Sequence, residues 1–279
     1  MPISAEAPWL NYYGAIPRTL NYPRLTIYQL VAQTARECPD LPAYEFMGRR
    51  TSYRDFLARI DRAALALYTA GIRAGDRVTI CMPNTPQALD CFYALNRIGA
   101  VSNMIHPLSA EEEIRFYLDV SGSQAILTLD RFYGKVAAAA ARAKRKPELK
   151  PLMRLGYNLT QGRKTPKLPQ EGCTLWTDLL RNAAGTLPPD DGRCDACASI
   201  LYSGGTTGTT KGICLSSYNF NALALQTIAA SGYESIRGCM MLSVMPVFHG
   251  FGLGIGIHTA LVGGACCILV PNFNIRFTL

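Results

Sequence analysis

The run Ser203-Gly204-Gly205-Thr206-Thr207-Gly208-Thr209-Thr210-Lys211-Gly212 packs glycines, hydroxyls and a lysine behind the apolar stretch Ala198-Ser199-Ile200-Leu201-Tyr202. Glycines let backbone N–H groups turn inward against an oxyanion, hydroxyls add donors, and a lysine brings a point charge to phosphate. The segment therefore reads as a phosphate-gripping loop. A Walker A loop needs Gly before the Lys and Ser or Thr after it. Here Thr210 precedes Lys211 and Gly212 follows, so a helix N-terminus cradling the phosphates is disfavoured. A Gly/Thr-rich surface turn without a ligand is the alternative; the lysine, the strand before it and the density of hydroxyls weigh against it.

His249 is the second residue of chemical interest. It follows a predicted strand, Met241 to Val247, and opens the glycine-rich segment Gly250-Phe251-Gly252-Leu253-Gly254-Ile255-Gly256. A core histidine satisfied by backbone is the alternative there, and it is the reading for His106 and His258. Cys194-Asp195-Ala196-Cys197 has redox or zinc spacing, but no second pair or histidine lies near it in sequence, so no metal site is assigned.

These residues need elements to hold them. Ser52 caps a predicted helix whose Phe56, Leu57, Ile60, Ala64 and Leu67 form one stripe, ended by Gly71. Arg77 to Met82 reads as a buried strand. Thr85 and Pro86 are the N-cap and first position of a helix that Gly99 follows. Val101 to Met104 is a strand, and Ser109 opens a capping box for a helix to about Val120. Gln124 to Leu129 is a strand and Arg131 to about Lys144 a helix. Ser199 to Tyr202 is the strand feeding the loop, with a helix from Asn219 to Ala230 after it. The alternation, with few hairpin signals, predicts an α/β fold of mainly parallel sheets with helices on both faces. Residues 147 to 193 interrupt it as an exposed connection, with a short helix or turn around Cys173 to Leu180.

The chain has 279 residues, 49% of them apolar and 17% charged, so a large core is affordable. Net charge is +8. Arg142, Lys144, Arg145, Lys146, Lys150, Arg163, Lys164 and Lys167 carry much of it. A solvated helix end and loop is the plain reading; peripheral contact with an anionic membrane surface is the sharper one. Nothing resembles a nucleic-acid module, and no nucleic-acid partner is expected. The N-terminus shows no signal-peptide pattern, and ten cysteines are scattered through apolar runs. Reduced thiols in a cytoplasm fit that usage. Phe251 to Val270 is long and apolar, but Gly263-Gly264 divides it, which predicts a buried helix and then a strand.

Several ordered motifs resemble the adenylate-forming (AMP-dependent synthetase/ligase) superfamily. The glycine loop is similar to its signature, with Gly204 where Ser is usual and Thr210 where Pro is usual. Ala7 to Tyr13, the stretch Thr26-Ile27-Tyr28-Gln29-Leu30 through Tyr53, Cys81-Met82-Pro83-Asn84-Thr85-Pro86, Arg97-Ile98-Gly99-Ala100-Val101, Leu215 to Asn219 and Pro246-Val247-Phe248-His249-Gly250 resemble bacterial long-chain fatty-acid CoA ligases. The resemblance implies that Ser203, Gly204, Gly205, Thr206, Thr207, Gly208 and Lys211 bind the ATP phosphates. It implies that His249, Gly250 and Phe251 border the carboxylate pocket. It also implies activation of a long- or medium-chain fatty acid by ATP, with Mg2+ and CoA, through an acyl-adenylate.

By the same resemblance the chain reads as a truncated N-terminal domain. Residues 75–235 would be a first α/β subdomain, and 1–74 with 236–279 part of a second. A Tyr-Gly-x-Thr-Glu segment, a later ribose-binding aspartate and a C-terminal domain with its lysine are not found in the sequence. The alternative function is therefore an inactive fragment that at most binds nucleotide or acyl chain, or that awaits a complementing C-terminal fragment.

Overall fold

A computed structural model describes residues 7–144, 173–190, 192–203 and 210–272. Helix α1 (Ile27–Glu37) begins at a capping box in which the Thr26 hydroxyl accepts the Gln29 amide and the Gln29 side chain accepts the Thr26 amide. Strands β1 (Pro42–Phe46) and β2 (Arg49–Ser52) form an antiparallel hairpin turned through Met47 and Gly48, at φ of 51° and 74°. The sequence reading misses this hairpin because Met-Gly lacks the Asn-Gly or Asp-Gly signal of a tight turn.

Helix α2 (Tyr53–Thr69) is capped by Ser52 and followed by β3 (Arg77–Cys81). Thr85 and Pro86 start α3 (Pro86–Arg97) as expected, and β4 (Val101–Met104) follows. Helix α4 (Glu111–Ser121) starts later than a Ser109 cap would require. Ala110 is its N-cap, and only the returning half of the box exists, with the Glu113 carboxylate accepting the Ala110 amide at 3.0 Å. Strand β5 (Ala125–Thr128), helices α5 (Tyr133–Arg142) and α6 (Trp176–Arg181), β6 (Cys197–Ser203), β7 (Lys211–Ser216) and α7 (Ser217–Ala230) come next. Strand β8 (Met240–Ser243), a π-helix (Phe251–Thr259) that runs on into one short α-helical turn (Ala260–Val262), and β9 (Cys266–Leu269) follow, with 3-10 turns at Pro8–Tyr12 and Asp130–Phe132 earlier in the chain.

The strands form two sheets, β2-β1-β9-β8 and β5-β3-β4-β6-β7. Pairing is parallel except at the hairpins β1–β2 and β6–β7, which form sheet edges. Period two sorts the side chains of the second sheet. Val78, Ile80, Ala125 and Leu127 join the large core shared with α1, α2 and α3, whereas Cys81 and Ile126 pack with Ile114, Leu118, Val136 and Ala139 of α4 and α5. Helices thus cover both faces of this sheet.

Between α2 and α3, Arg59 grips the buried Asp90 carboxylate with bonds of 2.6 and 3.1 Å. Burial pushes the Asp90 carboxyl up to about 6, opposed by the Arg59 charge. Where the basic run enters the described structure, Arg142 is paired with Glu111 at 2.6 Å and with Glu112. No helix among the described residues is long and apolar enough to cross a membrane.

Candidate active site

Strand β6 carries the glycine loop, and the chain returns as antiparallel β7, so Ser203 and Lys211 face each other as cross-strand partners. Strands β6 and β7 are thus the two arms of a hairpin. Gly204, Gly205, Thr206, Thr207 and Gly208 lie outside the described residues. Lys211 is exposed at the first position of β7.

A buried polar network fixes the stem of this hairpin. The Tyr202 hydroxyl donates to Asn103 Oδ1 at 2.8 Å, its ring lies 4.3 Å from that of Tyr117, and Asn103 Nδ2 donates to Thr79 (2.8 Å) and Ser121 (3.1 Å). Thr79 donates onward to Ser123 at 2.7 Å. A satisfied chain of this kind holds one arrangement, because breaking any link strands a buried polar atom. Opposite Tyr202 stands Gly212, where a Cβ would come within 3.2 Å of Ile200 Cγ2 and 3.4 Å of Tyr202 Cε1. The small residue after the lysine lets the tyrosine ring lie across the pair.

The second group of residues sits in the corner after β8. The strand is shorter than its apolar pattern suggests, since Asn84 Nδ2 takes the carbonyls of Ser243 and Met245, each at 2.9 Å, and Pro246 has no N–H to pair. Asn84 Oδ1 also accepts the Val247 amide at 2.8 Å. Asn84 is buried in the loop after β3, so one side chain ties the two sheets together at the carboxyl end of that strand. In sequence Asn84 stands within the Cys81 to Pro86 motif, and the motif alone does not assign it this role. Its signal is a lone Asn between two prolines, Pro83 and Pro86.

At the corner itself His249 is exposed, and its Nδ1 accepts the Phe251 amide at 3.2 Å, which leaves Nε2 as the outward atom. Phe251 is 53% exposed at the mouth of the π-helix. A Cβ at Gly250 would lie 3.7 Å from Leu201 Cδ1, so this corner adjoins the strand that leads into the glycine loop. The two candidate groups, far apart in sequence, share one end of the molecule.

The histidines otherwise divide. His258 is fully buried, with its Nε2 2.9 Å from Asn221 Oδ1 and its Nδ1 3.1 Å from the Tyr93 hydroxyl. It is a core histidine, satisfied by side chains rather than by backbone. His106 is not in the core. It is exposed after β4, its ring 4.2 Å from Phe248 and its Nδ1 accepting the Leu108 amide at 2.8 Å. Burial, then the Lys135 charge, lowers its pKa, against Glu113.

Burial pushes the His258 imidazole down to about 3. The folded protein keeps it neutral while the unfolded chain takes up a proton near pH 6.5, so its contribution to stability is complete above that pH and lost as pH falls toward 3. Stability should drop by about 2 kcal/mol between pH 7 and pH 5 from this residue alone. Urea unfolding of the wild type and His258→Gln at both pH values measures the difference; an equal drop in the two would exclude it.

Among the described residues no group of three or more His, Cys, Asp or Glu side chains is placed to hold a metal ion. A recess of ≈ 390 Å³ lined by Arg24 and Gly192 to Ala196 lies at the amino end of β6, away from Ser203. Ligands of open parallel sheets sit beyond the carboxyl ends of strands, so the hairpin and the His249 corner are preferred.

A family model described as AMP-binding enzyme matches residues 31–278. A long-chain-fatty-acid–CoA ligase of Bacillus subtilis (strain 168) is 28% identical over 292 residues, which cover 99% of this chain and 52% of that protein. A 4-coumarate–CoA ligase 2 of Oryza sativa subsp. japonica is 27% identical over 260 residues, covering 90% and 44%. Among solved structures, a long-chain-fatty-acid-CoA ligase from Archaeoglobus fulgidus superposes with a TM-score of 0.76 at 20% identity, over 92% of this chain and 49% of that one. The chain spans about half the length of the curated relatives it matches.

Proposed function

We propose, from the premise that the chain belongs to the AMP-binding enzyme family, that its hairpin and His249 corner form the ATP-phosphate and carboxylate sites of an acid–thiol ligase for fatty acids. The carboxylate attacks the α-phosphorus of ATP, pyrophosphate leaves, and the CoA thiol then displaces AMP from the acyl-adenylate. Negative charge gathers on the departing pyrophosphate, so donors and a cation set in place beforehand lower the barrier. In this reading Lys211 supplies the cation. Ser203, with the loop residues Gly204, Gly205, Thr206, Thr207 and Gly208, supplies donors.

The observation that carries the proposal is the register of β6 and β7, which sets Ser203 opposite Lys211 beside the Gly250 corner. His249 offers Nε2 to the carboxylate, and Phe251 and Gly250 border the entry of the acyl chain. The preference for a long or medium chain rests on the apolar character of the segment Phe251 to Ile257, which has no polar side chain to recognise an amino acid.

The two-step reaction is proposed for a protein of the relatives' length. For the 279-residue polypeptide the proposal is binding of ATP and of an acyl carboxylate. Pyrophosphate exchange by the protein at the relatives' length, across a panel of acids, tests the first. Medium- and long-chain fatty acids are expected to exceed benzoate and amino acids by at least about tenfold, each buried methylene being worth about 0.8 kcal/mol. Equal or higher exchange with aryl or amino acids would overturn the fatty-acid assignment. Calorimetric titration of the 279-residue chain with ATP tests the second.

A further inference from the structure

The sequence spacing Cys194-x-x-Cys197 suggests that these two cysteines belong together, but β6 begins at Cys197 and leaves Cys194 in the turn before it. Cys194 is buried there, its carbonyl accepting the Tyr218 amide at 2.9 Å. Cys197 meets a different thiol. Ile200 pairs with Cys214 and Ser199 with Leu215 in step, but Cys197 pairs with Ser216, so an extra residue is inserted between Cys197 and Ser199. Side chains alternate faces along a strand, and one inserted residue reverses the alternation beyond it. The bulge therefore turns Cys197 onto the face that carries Ser216 and Cys214. There Cys214 is the side chain that acts most strongly on the Cys197 thiol, after burial.

We propose that Cys197 and Cys214 are an oxidation site, a thiol pair that a hydroperoxide converts to a disulfide across the base of the β6–β7 hairpin. The roles follow from exposure. Cys214 is exposed on β7, the edge strand of its sheet, whereas Cys197 is half-buried with Sγ 3.7 Å from the Ser199 carbonyl oxygen. Cys214 is thus the thiol that an oxidant reaches. Its sulfur attacks one peroxide oxygen, the O–O bond breaks, and a sulfenic acid forms with release of water (or of the alcohol, for an organic peroxide). The Cys197 sulfur then attacks the Cys214 sulfur, the S–O bond breaks, and the hydroxyl leaves as water with the Cys197 proton. Two thiols are oxidised to one disulfide and one peroxide is reduced. Burial, then the neighbouring Cys214, raises the Cys197 thiol to about 11, which agrees with its acting second. The pair stands whichever acid the protein activates.

Trypsin separates the partners, since cleavage after Arg193, Lys211 and Arg237 leaves Cys197 in peptide 194–211 and Cys214 in peptide 212–237. The purified 279-residue chain is treated with a small excess of hydrogen peroxide, alkylated, digested and read by mass spectrometry. The two peptides are expected to be joined, with the loss of two hydrogens, in more than half of the chains, and to separate after reduction. Cys214→Ser, a change at an exposed position, and Cys197→Ser should each abolish the link, while Cys194→Ser should leave it. Oxidation of Cys214 to sulfinic acid without a link, or a link that survives in Cys197→Ser, would overturn the proposal.

Discussion

Lys211→Ala is expected to slow acyl-adenylate formation at least about tenfold, measured as pyrophosphate exchange by the protein at the relatives' length. Lys211 stands exposed at the head of β7, directly across from Ser203, on a stem held by the Tyr202–Asn103 bond. Its ammonium should meet the leaving pyrophosphate more strongly in the transition state than in the bound substrate. The loss should therefore appear in kcat and kcat/KM together, with little change in KM for the acid. Because the side chain is exposed, thermal stability should shift by no more than about 0.5 kcal/mol. Lys211→Arg keeps the charge but presents a planar fork, and partial activity is expected from it. An unchanged exchange rate in Lys211→Ala would remove the residue from the mechanism.

Gly252→Ala is expected to cost about 3 kcal/mol or more of folding stability, a loss at the upper end of what overpacking produces. A Cβ there would lie 2.1 Å from the Pro246 carbonyl oxygen, 2.5 Å from that of Met245 and 2.7 Å from the Met245 carbonyl carbon. All three are backbone atoms, and backbone cannot swing aside as the end of a side chain does. The corner from Met245 to Gly250 would have to move, and with it the three Asn84 bonds that hold it and the outward setting of His249. Gly254→Ala provides the contrast. Its Cβ would meet Leu223 Cδ2 at 2.7 Å, and that leucine can change rotamer. Urea unfolding of both variants should show the larger loss for Gly252→Ala; equal losses would mean that the corner yields easily.

Much of the fold was legible in local pattern. Thr85-Pro86 before an apolar stripe and Gly99 after it mark α3 because capping and left-handed φ are local properties. The split of Phe251 to Val270 into a buried helix and a strand followed from Gly263-Gly264, and β9 does begin after that pair. The glycine loop was legible as chemistry, but its setting was not. An antiparallel return through Lys211 to Ser216 is written in no turn signature that a reader would rank above a strand–loop–helix. The same limit hid the hairpin at Met47-Gly48 and moved the start of α4 off Ser109. In each case the deciding interaction is with a partner strand or a single side chain elsewhere.

The sequence alone determined the residue types, the strand–helix alternation that makes the second, helix-covered sheet, and the concentration of glycine, hydroxyl and lysine that suits phosphate. Only the tertiary structure decided which of those residues meet. It set Ser203 across from Lys211, brought Gly250 against Leu201, took His106 out of the core and set its ring against that of Phe248, and turned Cys197 onto the face that carries Cys214. The physical reason is that propensity and capping act over a few residues. Register, bulges and the reach of buried groups such as Asn84 and Asn103 depend on elements that come together only when the core closes.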